Sequence, residues 1–193
     1  MDRSYNIAGG KKFYVGRQRD ALSFFATVGH SVDYRYTDEI IRNTTTSGTV
    51  YKDMNGKKYA ENISQLALAN VDFDMQNRHH ISYNLMMIHA NTQSVGDYNG
   101  KNSIFSDDYE NLGFTRRQQT NDNMLIVNQL MTNWGLTKSL SLDAGASYNM
   151  VKGYEPDRRI NNLTKAEDGY TLLRGNSQQR YFSTLDEDDL NVK

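Results

Sequence analysis

Residues 139–150, SLSLDAGASYNM, alternate almost without error. Leu140, Leu142, Ala144, Ala146, Tyr148 and Met150 fall on one side, and Ser139, Ser141, Asp143, Gly145, Ser147 and Asn149 on the other. A period of two marks a β-strand with one apolar and one polar face. The same rhythm runs through 23–36, 63–75, 80–90 and, less cleanly, 123–136, and a less regular strand is expected near 11–17. In 23–36 the apolar side holds Phe24, Ala26, Val28, Val32, Tyr34 and Tyr36, interrupted by His30. In 63–75 it holds Ile63, Ala67, Ala69, Val71, Phe73 and Met75, with Leu66 and Leu68 out of phase. In 123–136 Leu125, Val127 and Met131 are out of phase in the same way.

The gaps between these strands alternate in length. Residues 37–62, 91–122 and 151–180 are long and polar, and the first of them holds a small hairpin near Val50–Met54 and Lys57–Tyr59. Residues 76–79 and 137–138 are short. In a meander, successive connections lie at opposite ends of the sheet, so the long loops gather at one end and the tight turns at the other. The pattern therefore predicts an all-β chain: an antiparallel up-and-down meander, a partial transmembrane β-barrel with long extracellular loops. A soluble β-sandwich or barrel also alternates. Strands longer than the usual 5–6 residues, and Asp33, Arg35, Asp72, Asp74 and Asp143 on the polar face, favour the membrane barrel. Its apolar face would meet lipid and its polar face a wet lumen. Trp134, Phe24, Tyr34 and Tyr36 sit near strand ends, where interfacial aromatic girdles lie.

Composition narrows the reading. The chain has 193 residues, with 22 basic and 23 acidic side chains interspersed and a net charge of -1, so no bulk field draws nucleic acid. Mean hydropathy is -0.75, unusually polar for a chain with apolar strands, and no run approaches the roughly 18 apolar residues that a transmembrane helix needs. The 13 Tyr and 7 Phe argue for an ordered chain. With no cysteine there is no disulfide framework, thiolate metal site or cysteine nucleophile.

Longer words point further. NRHHISYNLMMIHA, LSLDAGASYNMVKGYEPDRRINNLT and QRYFSTLDEDDLNVK resemble the barrel of a TonB-dependent outer-membrane receptor, of the type found in gut-type Gram-negative bacteria. AGASYN followed by GYEPDRR, and RYFSTLDEDDLNVK, are the most specific words. The resemblance spans essentially all of 1–193. It implies location in the bacterial outer membrane and a role in energised uptake of a nutrient ligand of glycan, peptide or siderophore type. The implied partners are outer-membrane lipid, the remainder of the receptor barrel with its plug, and the TonB complex, acting through an N-terminal part. The chain shows neither plug nor signal peptide and matches an internal segment of about seven or eight strands. The alternative is a soluble β-rich ligand-binding or adhesion module.

Chemistry is sparse. His79 and His80 are adjacent, so on a strand they point to opposite faces and do not share an ion. Asp186–Asp189 and Asp107, Asp108 and Glu110 lack the spacing and turn glycine of a dedicated Ca²⁺ loop. AGGKK at 8–12 lacks phosphate-loop spacing. No nucleophile elbow or distinguished carboxylate pair appears, so no enzymatic activity, cofactor, metal or catalytic residue is expected. Ligand contacts are expected from the long loops, through Tyr98, Phe105, Tyr109 and Phe114, whose rings would stack on a sugar or grip a peptide.

Overall fold

The computed structural model describes residues 2–16, 20–76, 78–103, 112–137, 139–172 and 178–193. They form one antiparallel sheet of eight strands: β1 (Arg3–Val15), β2 (Asp20–Thr44), β3 (Val50–Met75), β4 (His79–Asn102), β5 (Leu112–Gly135), β6 (Ser141–Ala166), β7 (Gly169–Leu172) and β8 (Gln178–Val192). Strands follow one another in chain order up to β6. β7 and β8 then lie end to end along the far side of β6, against Leu163–Ala166 and Ala146–Asn161 respectively. The all-β antiparallel meander expected from the alternation is present. The sheet does not close: β1 pairs with β2 alone, and β8 with β6 alone.

The strands are much longer than their alternating parts. β2 through β6 run 24 to 26 residues each. Most of the polar gaps expected to be loops continue these strands. The gap 37–62 reduces to a turn at 45–49, closed by Thr45 N–H donating to Thr49 O at 2.8 Å and by Gly48 at φ 86. The small hairpin expected at 50–59 is absent, because those residues extend β3 and pair with β2 and β4 on either side. The gap 151–180 is strand to Ala166, followed by a turn at Glu167 and Asp168 with Gly169 at φ 140. Within the gap 91–122, β4 runs to Asn102 and β5 starts at Leu112. Pro156 has no amide to give a ladder. It sits where the registers of β6 against both neighbours shift, between Glu155 and Arg158 on one side and Gln118 and Asp122 on the other.

The sheet is a single layer. Its accessible surface is 13465 Å², against about 9,300 Å² for a globular protein of this mass. Among the described residues only Ala21, Met54 and Tyr98 are buried apolar side chains. A soluble domain buries its sheet against a second layer. Here both faces stay open.

Candidate membrane interface

Directly paired residues of an antiparallel ladder share a face, so the register fixes what each face presents. One face carries Ile7 and Phe13 of β1, then Phe24, Ala26 and Val28 of β2, and Ala67, Ala69, Val71 and Phe73 of β3. Ile81, Tyr83, Leu85 and Met87 of β4 follow, with Ile126, Leu130 and Trp134 of β5 and Leu142 to Met150 of β6. Leu190 and Val192 of β8 complete it. These side chains are open to the surroundings: Val28 is 59% exposed, Leu130 50%, Leu142 54% and Val192 78%. An apolar patch this wide is not left in water by a monomeric soluble protein.

The apolar band has a defined upper border. Val32 on β2 lies in one cross-strand row with Ile63, Asn91, Asp122, Tyr154 and, on β8, Thr184. Apolar side chains reach that row on β2 and β3, as Val32 and Ile63, but only above the polar His30 and Gln65. Below that break the band has Val28, Ala67, Met87, Ile126 and Met150 in one row, and on β8 it stops one step lower, at Leu190. On β6 the band runs from Leu142 to Met150, nine residues, the length a tilted transmembrane strand requires.

Aromatic rings border the band. Below, Phe13 stacks on Phe24 at 5.9 Å and His79 leans on Trp134 at 4.6 Å. Above, Tyr36 and Tyr59 meet at 5.2 Å, and the Tyr36 hydroxyl donates to Asp38 at 2.6 Å. Between band and upper rim lies a polar belt. Gln65 joins His30 Nδ1 at 3.4 Å and His89 Nδ1 at 3.1 Å. His89 Nε2 meets Asp122 at 2.6 Å, and Asn91 donates to the same carboxylate at 3.1 Å. Each group therefore has a partner where the surroundings turn apolar. His30, which breaks the alternation of its strand, is a trace of this belt in the sequence.

The opposite face is polar near the lower turns. His80 meets Asp74 at 2.7 Å, Asn70 donates to Asn84 at 2.8 Å, and Asn133 donates to Asp143 at 2.6 Å. At mid-height the out-of-phase residues of the sequence fall side by side: Leu68, Met86 and Val127 in one row, and Leu66, Ile88, Leu125 and Val151 in the next.

Of the four residues expected to contact ligand, the two that are described, Tyr98 and Phe114, lie on opposite faces of the sheet. Tyr98 lies on the polar face of β4 and is 7% exposed. Its ring covers Gly56 and Gly96, where an added Cβ would lie 2.1 Å and 2.6 Å from ring atoms. It packs on Met54, and its hydroxyl donates to Glu39 at 2.7 Å. Burial and then that carboxylate push its pKa up to about 12. Phe114 stands on the other face, 6.1 Å from Tyr170, with the Arg116 guanidinium 5.7 Å from its ring. Phe105 and Tyr109 lie outside the described residues. No protein-family model matches the chain, and no curated protein matches it.

Proposed function

We propose that this chain is part of the wall of a bacterial outer-membrane receptor of the TonB-dependent kind. Its apolar face meets lipid and its polar face a wet lumen. In this reading the chain carries no chemistry of its own. It helps enclose the path of a nutrient ligand whose uptake is energised elsewhere in the receptor. The observation that carries the reading is the apolar band: nine residues deep on β6, rimmed by aromatics, on a sheet without a core. Transmembrane barrels carry such an apolar band between aromatic girdles. The resemblance of AGASYN, GYEPDRR and RYFSTLDEDDLNVK to such receptors supports the choice of family.

The upper border of the band makes the reading testable. Val28 and Asp188 belong to one cross-strand row, yet the band reaches that row on β2 and stops one step lower, at Leu190, on β8, so Val28 would lie inside lipid and Asp188 in water. The chain has no cysteine, so Val28→Cys and Asp188→Cys each carry one thiol. With the chain expressed behind a secretion signal, a membrane-impermeant maleimide should label the Asp188→Cys protein in the outer-membrane fraction and spare Val28→Cys. A compact, detergent-free soluble monomer labelled equally at both positions would overturn the membrane assignment and leave the soluble binding module.

A further inference from the structure

The two free edges of the sheet have a direction and a charge. Neighbouring strands are antiparallel throughout, so β1, β3 and β5 run one way and β2, β4 and β6 the other. β8 is antiparallel to β6 and therefore runs with β1. Because β7 and β8 share one place beside β6, the eight strands fill seven positions, an odd number. Joining β8 to β1 would make a parallel seam, within one copy or between copies arranged in a ring. Bacterial single-chain barrels are antiparallel throughout and even in number.

Charge separates the edges further. β8 carries Asp186, Glu187, Asp188 and Asp189 in sequence against one base, Arg180. β1 carries Arg3, Lys11 and Lys12 and no acid. Successive residues alternate in facing, so the β8 acids charge both faces of that edge. Among the described residues only Lys152 forms an ion pair with them, at 3.9 Å from Asp186. Like charges set opposite one another destabilise a strand pair, so two β8 edges repel. The described part of β8 has no proline to blunt its row of free backbone groups.

We infer that β8 is an interface for an antiparallel, cation-bearing strand, and that the sheet is completed by an odd-stranded polypeptide segment, cationic where it meets β8 and acidic where it meets β1. The odd count rests on the barrel-wall reading above. The preference of β8 for a cationic strand rests on the sheet alone.

The test uses the full chain in detergent micelles with Asp189→Cys on β8. The probes are two synthetic amphipathic strand peptides that differ only in Lys or Glu at the charged positions. Each is made with its cysteine near the N-terminus or near the C-terminus. Asp189 lies toward the end of β8, so an antiparallel partner brings its N-terminal cysteine there. Disulfide formation should favour the lysine peptide about tenfold at low salt and fade as salt is added, and only the N-terminal cysteine should link. In parallel, Ile7→Cys/Leu190→Cys reports contact between β1 and β8. Equal capture of both peptides, or linkage through the C-terminal cysteine, would overturn the edge assignment. A disulfide between the cysteines substituted at positions 7 and 190, within a monomer or between copies, would overturn the odd count. Failure of the Val28 and Asp188 labelling pattern, with peptide capture intact, would instead remove the membrane reading and leave the edge standing.

Discussion

The lower and upper halves of the sheet share the same strands but are held together differently. In the lower half, one side of β2 through β6 presents Val28, Ala67, Met87, Ile126 and Met150 in a single row, and nothing among the described residues forms a second layer over them. In the upper half the corresponding side presents Asp38, Lys57, Asp97 and Arg116, a cross-strand row of alternating charge. The other side is pinned there by Tyr98 laid over Gly56 and Gly96. On the proposed reading the lower half meets an apolar medium, whereas the upper half supplies its own partners and suits water. Lengthening a strand past a lipid boundary requires this change of chemistry, because alternating charges satisfy one another in water while an apolar row gains nothing by staying exposed.

The largest effect should come from placing a charge in the lower band. Ala146→Arg puts a guanidinium on the apolar face beside Leu130 and Val192. At a lipid-facing site near mid-depth this costs about 2–4 kcal/mol, and it should show as loss of the heat-modifiable folded species. Gly145→Ser, one residue away on the polar face, should leave that species nearly intact. An added Cβ there meets Leu130 O at 3.5 Å and Met131 Cγ at 3.7 Å, ordinary contacts. Equal tolerance at 145 and 146 would erase the difference between faces, and with it the contrast between halves.

The upper half breaks at its glycines. A side chain at Gly56 would collide with the Tyr98 ring, so Gly56→Val must expel the ring from its seat on Met54. Overpacking of this kind costs about 1–3 kcal/mol. Proteolysis should then cut within 37–62 while the lower strands stay protected. Simultaneous loss of protection in both halves would show that they form one cooperative unit.

The contrast explains what could be read from sequence. Alternation is legible only where one face is apolar, so 23–36, 63–75, 80–90 and 139–150 stood out as strands. Residues 37–62 looked like loop because both faces are polar: Asp38 and Lys57 lie on one side, Glu39 and Lys58 on the other. No local period announces a strand whose stabilisation comes from charges on its neighbours. Gly56, a plausible turn residue after Asn55, is instead the floor under Tyr98. That aromatic therefore read as a loop contact for ligand. Leu66, Leu68, Leu125 and Val127 seemed to blur their strands because the patch they build exists only once β3, β4 and β5 are in register.

A smaller change separates the two roles of Tyr98. Tyr98→Phe keeps the ring over the glycines and removes the hydroxyl that donates to Glu39, leaving that carboxylate Lys58 at 3.9 Å. The cost should be about 1 kcal/mol, read as faster amide exchange in the upper halves of β3 and β4. Folding raises the Tyr98 pKa above its ordinary 10.0 to about 12. Its neutral form is the stabilised one. Its contribution is therefore complete below pH 10 and lost as pH climbs through 12. Wild-type protection of the upper strands should fall across that window, and the Phe variant should lack that part of the fall. An identical fall in both proteins would remove Tyr98 from the alkaline response.

The smallest effect tests the charge row. Arg116 grips Asp97 with two hydrogen bonds of 2.7 Å, and this pairing holds the Asp97 carboxyl below its ordinary pKa of 3.8. A bidentate pair is the strongest form of a surface ion pair, yet exposed pairs contribute only about 0.2–1 kcal/mol. Arg116→Ala should therefore slow nothing in the lower band and loosen the β4–β5 ladder near Asp97 only slightly. The pH dependence is more telling than the size. A depressed carboxyl contributes stability above its unfolded pKa and loses it as acid reaches the folded value. Wild-type exchange at Tyr98 and Thr115 should thus accelerate below pH 3.8, whereas the Ala variant should start faster and change less. Added salt should bring the two proteins together, because screening weakens this pair and leaves the apolar band of the lower half untouched.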